Sequence, residues 1–379
     1  MSVLRQTTDL YFAVTILRIS PQKAAMTTPA SALQPRRART AALTVVLSVT
    51  LALALLVSAG TGQLHIAPTE VLGSLLHRIG ITALPLPEHP TGDQTLWAIR
   101  FPRVVMSALV GAGLALSGLL MQAIFGNPLA EPGIIGISAG AAFGASIAIV
   151  FGLSFLGGWT VAAFAFASGL LATLTVYFVS RSGGKTEVVT LVLTGIAVNA
   201  VGGAGIALLT FLGSTQSREQ IVFWQLGSIA GSRWPQIAVV APVLLLGVFA
   251  SAAVAKKLDL LALGERNARH LGVNVEALRI GVIVLVALVV GVSVAFTGVI
   301  SFVGLVVPHL MRMVLGPAHG PLVVTSAVGG ALLLTLADLG ARTLIPLADL
   351  PIGMLTSLVG GPFFFWLLRR TRKSAGGWG

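Results

Sequence analysis

Covalent chemistry needs side chains that attack, hold metals or move protons, and this sequence offers few of them in useful groupings. It has no cysteine, which removes thiol catalysis, cysteine metal ligands and disulfides. Its six histidines are scattered, with no His-Glu-x-x-His spacing for a metal. The run Arg181-Ser-Gly-Gly-Lys-Thr186 resembles the end of a phosphate-binding loop, but the earlier glycine of that motif would fall at Val179 and no strand precedes it. No Ser/His/Asp grouping stands out. The expectation is a chain without a catalytic site, a metal or a permanently bound cofactor.

What remains is recognition chemistry. Lys256 to Val273 gathers six charged residues, Lys256, Lys257, Asp259, Glu265, Arg266 and Arg269, in a chain that is 9% charged. Leu258, Leu261, Gly264, Ala268 and Leu271 recur at helical steps of three and four, so the segment reads as a helix lying on lipid or as a docking surface. Arg100 and Arg103 flank Pro102 at a helix entrance; they suit interfacial anchoring or an acidic partner. Arg218, upstream of Phe223-Trp224, suits an ordinary loop or a flat, carboxylate-bearing ligand. Asn199 inside an apolar run is helix glue or the wall of a path. Asn127-Pro-Leu-Ala-Glu-Pro-Gly133 cannot be one continuous helix, and reads as a tight turn or a gate. Asp338 and Arg342 have the spacing of an intrahelical pair, and His309 and Arg312 the place of helix-end pairing.

The elements that position these residues are membrane spans. The chain is 55% hydrophobic, with a mean hydropathy of +0.95. Apolar runs fall at 41–60, 104–123, 134–154, 159–180, 188–213, 236–255, 277–297, 299–315, 321–341 and 350–368, mostly long enough to span a bilayer. The eighth is short and Pro308 is expected to interrupt it, a break tolerated only where other helices or a cavity satisfy the freed backbone. Starting inside and alternating puts fifteen Lys and Arg on the inner side and six on the outer, with three in the N-terminal tail, the asymmetry of a protein with both termini cytoplasmic. The net charge of +12 then belongs to inner loops, and nucleic acid is not expected. Residues 1–40 read as a polar, disordered extension without a signal peptide, with Met26 as an alternative start. Residues 41–370 read as one all-α, ten-helix transmembrane domain with the 256–273 segment inside it, and 371–379 as a cytoplasmic tail.

Six motifs occur in one order: Arg100-Phe-Pro-Arg103; Gln122 with Asn127 to Gly133; Trp224-Gln-Leu-Gly-Ser228; Leu263-Gly-Glu with Ala268 and Leu271-Gly272; Phe296 to Arg312; and Leu350 to Thr356 with Gly360-Gly-Pro-Phe-Phe364. Together they resemble the FecCD family, permease subunits of type II ABC importers for iron-siderophores, haem and cobalamin. The resemblance covers roughly residues 41–370.

The resemblance implies a homodimer in the bacterial inner membrane, two cytoplasmic ATPase subunits that bind ATP and magnesium, and a periplasmic binding protein. It implies docking cations at Arg100, Arg103 and Arg342. It implies coupling helices over 258–272, broken at Gly264, with Leu258, Leu261, Glu265, Arg266, Ala268, Arg269 and Leu271 meeting the ATPase. The pore would follow the dimer axis along the fifth and tenth spans, with gates near Leu129 and Thr186, and would work by alternating access. The stretch around Arg218 resembles the haem-importing branch, with Arg218 as a propionate contact. It departs from that branch in reading Gln216-Ser-Arg218-Glu. Haem is the first expected cargo, a ferric siderophore the second and cobalamin the third. A secondary transporter without an ATPase is the rival, with Asp338 as its best ionisable group.

Overall fold

The computed structural model describes residues 30–183, 185–345 and 348–374. The chain divides into two units, Met1–Arg39 and Thr40–Gly379. Most of the expected 1–40 extension, and residues 375–379 of the expected tail, lie outside the described residues. Of the first unit, residues 30–39 are helical, so the polar extension gives way to helix before position 40.

The helices are α1 (Ala30–Gly60), α2 (Pro68–His77), α3 (Gly92–Thr95), α4 (Phe101–Phe125), α5 (Ile137–Val150), α6 (Thr160–Val179), α7 (Val188–Leu212), α8 (Thr215–Leu226), α9 (Trp234–Leu261), α10 (Glu265–His270), α11 (Val275–Thr297), α12 (Val303–Leu315), α13 (His319–Thr343) and α14 (Ile352–Ser374). A two-stranded antiparallel hairpin, β1 (Arg181–Ser182) and β2 (Lys185–Thr186), leads into α7. Among the described residues, seven helices are long and apolar enough to cross a membrane, and three shorter apolar ones, in α5, α12 and α14, bring the set to the ten that the apolar runs anticipate.

Helix α4 is the axis of packing. Its apolar stretch is 78% buried, against 11% for α7 and 6% for α1, so α7 and α1 leave most of their apolar surface uncovered by this chain. Around α4 lie α9, α11, α12 and α13. Two glycine pairs set the crossings. A Cβ on Gly111 or Gly330 would overlap the other's carbonyl, and one on Gly118 would overlap the backbone of Gly304. Here backbones touch without side chains between them, the close packing that small residues permit in lipid. Gly140 and Gly144 of α5 meet α6 in the same way, at Ser168 and Phe164.

Two spans are broken. Helix α5 has 14 residues and α12 has 13, so at 1.5 Å per residue each covers roughly 20 Å of a hydrocarbon core about 30 Å thick. Irregular backbone completes both. Before α5, a 3-10 turn at Pro132–Ile135 packs against the middle of α7. Before α12, residues 298–302 are non-helical and end at Phe302, which has φ 68°. That conformation is costly for an aromatic residue; the Phe302 ring lies where a Cβ on Gly360 of α14 would be. Pro308 sits inside α12 without ending it, so the break falls six residues before the proline.

Candidate functional site

The charged segment 256–273 is not one amphipathic helix. Nothing between Ala252 and Leu261 interrupts a helix, so Lys256 to Leu261 simply finish α9, and the chain turns at Gly264 with φ 100°, a backbone position that favours glycine. Helix α10 follows. The turn also changes which leucines are available. Leu258, Leu261 and Ala268 are buried in this chain's own core, which corrects the expectation that they enter a partner. The exposed face is Leu263 and Leu271, 59% and 58% accessible, beside exposed Arg266 and Arg269. Exposed leucines on either side of two exposed arginines give this segment the apolar and cationic mixture of an interface.

The inward side of α10 is tied down. The Glu265 carboxylate accepts a 2.6 Å hydrogen bond from Arg279 Nη2, and lies 3.9 Å from Arg269 one turn on. Arg279 also donates to the Thr186 carbonyl at 3.1 Å. Thr186, expected near a gate, is 3% exposed, and both its N–H and its hydroxyl donate to Glu276. Leu129 sits in the other expected gate turn, where its N–H is held by the Asn127 side chain at 2.9 Å.

In the middle of the chain the two broken spans converge on a cavity of about 400 Å³, lined by Glu131, Ser138, Asn199, Ser301 and Phe302 among others. Asn199 holds backbone together and lines this cavity. Its amide donates to the Gly133 carbonyl at 3.2 Å, satisfying backbone that the broken span leaves free, and it forms part of the cavity wall. Gln122 does similar work, donating to the Gly304 and Leu305 carbonyls and accepting from Arg312 at 2.8 Å. Arg312 thus pairs with a neighbouring helix rather than closing its own helix end.

At the opposite end from α10, the three arginines expected as outward cations are buried ties. A π-helical turn over Leu96–Arg100 widens the backbone just before α4. Arg100 is 5% exposed and donates to the carbonyls of Ala59 and Gly60, both at 2.8 Å, and to that of Leu64. It caps the end of α1, where carbonyls lack helical partners. Arg103 bridges Asp338 at 2.9 Å and Asp349 at 2.9 Å. Arg342 donates to Thr61 at 3.1 Å and to Ser58, and lies 3.5 Å from Asp338. The i, i+4 pair exists, but Asp338 belongs first to Arg103. All three arginines line an open cleft of about 660 Å³ with Asp349. Three guanidiniums against two carboxylates leave this cleft net positive.

The rest of that end is clamped by short polar contacts. Trp97 Nε1 donates to Ser74, Trp234 Nε1 donates to the Trp97 carbonyl at 2.7 Å, and Arg78 lies over the Trp97 ring at 4.6 Å. Glu70 accepts from the N–H groups of Glu88 and Ala67, which hold its carboxyl below the usual carboxylate range, Glu88 first. Arg218, on α8, is exposed. Its Nε donates to the carbonyls of Thr210 at 3.0 Å and Gly213 at 3.1 Å, and Nη2 donates to Phe211. The arginine is therefore fixed on the end of α7.

The residues that sequence reasoning passed over are Glu276, Arg279 and Asp349, which bond to residues it did single out. The only signal was charge close to an apolar span, the usual mark of a buried partner.

Comparison with known proteins matches residues 50–370 to the FecCD transport family. The hemin transport system permease protein HmuU of Yersinia pestis is 42% identical over 284 residues, 74% of this chain and 84% of that protein. The cobalamin import system permease protein BtuC of Halobacterium salinarum is 39% identical over 281 residues, 74% of each chain. A structure described as an inward-facing conformation of a metal-chelate type ABC transporter superposes with a TM-score of 0.75 at 33% identity, covering 86% of this chain and 98% of the other. The family match covers most of the chain and the fold superposes on an ABC transporter: the chain belongs to the FecCD transport family, as a multi-pass inner-membrane permease subunit of a type II ABC importer.

Proposed function

We propose that two copies of this chain form a pore that carries haem from a periplasmic binding protein to the cytoplasm, driven by two ATPase subunits. The observation that carries the reading is exposed Leu263, Arg266, Arg269 and Leu271 on and beside α10, with exposed Lys256 and Lys257 at the end of α9. Placed in the cytoplasm with both termini, this surface offers an ATPase apolar contact and steering charge. The uncovered apolar faces of α7 and α14 supply the dimer contact and the pore walls. Magnesium and ATP belong to the ATPase. The electropositive cleft beneath Arg100, Arg103 and Arg342 favours an acidic surface on the binding protein by its net field, although the arginines themselves are committed to internal partners.

Haem is favoured over a ferric siderophore or cobalamin by the similarity to HmuU and by Arg218. Three bonds to carbonyls leave part of its five-donor fork unused, on a helix that also carries exposed Phe223. A guanidinium held in place is a preorganised donor for a carboxylate. Arg218→Ala is expected to leave assembly with the ATPase intact and to lower haem uptake about tenfold, the value of one charge-assisted hydrogen bond. Equal loss of both would make Arg218 a structural cap only. The cargo itself is tested by ATP hydrolysis in liposomes with binding proteins loaded with haem, a ferric siderophore or cobalamin. Stimulation by haem is expected; a response to the siderophore alone would replace haem as the cargo.

A further inference from the structure

The start of α7 and the exposed helix α10 lie far apart in sequence, yet a continuous polar chain joins them. Glu265 on α10 accepts from Arg279 Nη2 at 2.6 Å. Arg279, on α11, passes the link to the Thr186 carbonyl through Nη1 at 3.1 Å. One turn earlier on α11, Glu276 accepts the Thr186 N–H at 3.1 Å and its hydroxyl at 2.6 Å. Thr186 ends the hairpin, and Glu187 is the N-cap of α7. Among the described residues, these are the hydrogen bonds that connect the beginning of α7 to α10 and α11.

The chain is built to transmit displacement. The Arg279 side chain is 6% exposed and Thr186 is 3% exposed, so at the α7 side the bonds are shielded from water and stiffer for it. The Glu265 end is 45% exposed, where a partner could act on it. Gly264, at φ 100°, sets the turn into α10, and buried Ala268 anchors its inner face. Arg279 Nε is buried without a partner, an uncommon cost in a native fold, so this guanidinium is held at two corners rather than saturated.

We infer that Glu265, Arg279 and Glu276 are positioning residues that couple α10 to the first turn of α7, so that displacement of α10 moves the mouth of the fifth span. This rests on the importer reading for what displaces α10, but the link itself does not depend on it. Two measurements separate the two.

The first uses the purified permease alone. Because the chain has no cysteine, Val189→Cys gives a single spin-label site on the exposed start of α7, and Val201→Cys gives a control on the same helix. Arg279→Gln and Glu265→Ala are expected to raise label mobility at 189 and not at 201, with Glu265→Gln, which keeps an acceptor, close to wild type. Unchanged mobility at 189 in both variants would overturn the strut. The second adds ATPase and binding protein in liposomes. Arg279→Gln is expected to assemble and hydrolyse ATP while cargo moved per ATP falls about tenfold, the loss of one charge-assisted bond. A merely structural role would reduce assembly, hydrolysis and transport together and leave that ratio unchanged, which would also overturn the inference. If wild type neither hydrolyses ATP nor transports while the mobility result holds, the importer reading fails and the link stands.

Discussion

Replacing Arg103 by alanine is expected to destabilise the permease by about 3–5 kcal/mol, the cost of leaving a buried charge without its partner. The carboxylate left behind is Asp338, 1% exposed, with Arg342 3.5 Å away as its remaining cation. Asp349, 47% exposed, turns to water at little cost. The loss is therefore concentrated at α13, and unfolding in detergent followed by intrinsic tryptophan fluorescence measures it. Pairing the change with Asp338→Asn should restore part of the stability, because the unpaired buried carboxylate is neutralised while Arg342 loses its ion-pair partner. If the single and double variants are equally unstable, the arginine acts through packing instead. Arg103 could thus appear essential in an uptake assay for reasons unrelated to docking, and stability must be measured beside activity.

The second large effect lies at the α4 and α12 crossing. Gly118→Val puts a branched side chain where the carbonyl of Gly304 stands. Overpacking in a core typically costs about 1–3 kcal/mol where side chains can shift. Here the obstacle is backbone, at the first turn of a span already broken at Phe302. The expected result is loss of folded protein at the membrane-extraction step, read as the absence of a monodisperse peak. Gly203→Val on α7, where a Cβ meets nothing within 4 Å of this chain, is the control and should extract normally. A well-folded Gly118→Val would mean that α12 can slide, and that the crossing is looser than its geometry.

Much of this was legible in the sequence, and the reasons for the misses are physical. Hydropathy located all ten apolar helices, because a bilayer forces long apolar runs to satisfy their backbone within themselves. The short eighth run marked one broken span, because length is a local property, while the break before α5 fell inside the run read as 134–154 and next to the turn at Asn127 to Gly133. What was not legible is which way a charged face turns. Arg100 and Arg103 share the spacing of an outward pair, but the partner that buries Arg103 is 235 residues away, and no local periodicity reports it. The same holds at α10. Leu258, Leu261, Ala268 and Leu271 fit one helical stripe only if the helix is continuous; the turn at Gly264 breaks the phase, burying the first three and exposing Leu271 with Leu263. Glu265 read as one more surface charge because Arg279, which holds it, lies beyond that turn.

On the proposed function, ATP-driven motion enters the permease at the exposed face of α10. This is tested most directly by ATP-dependent uptake into liposomes holding the chain and its ATPase, comparing wild type with a variant carrying Leu263→Ser, Arg266→Ser, Arg269→Ser and Leu271→Ser. These side chains face outward, so the variant should fold and extract as wild type does. The variant is expected to bind no ATPase and transport nothing; uptake that continues undiminished in it, or that needs no ATPase at all, would place the entry of motion elsewhere.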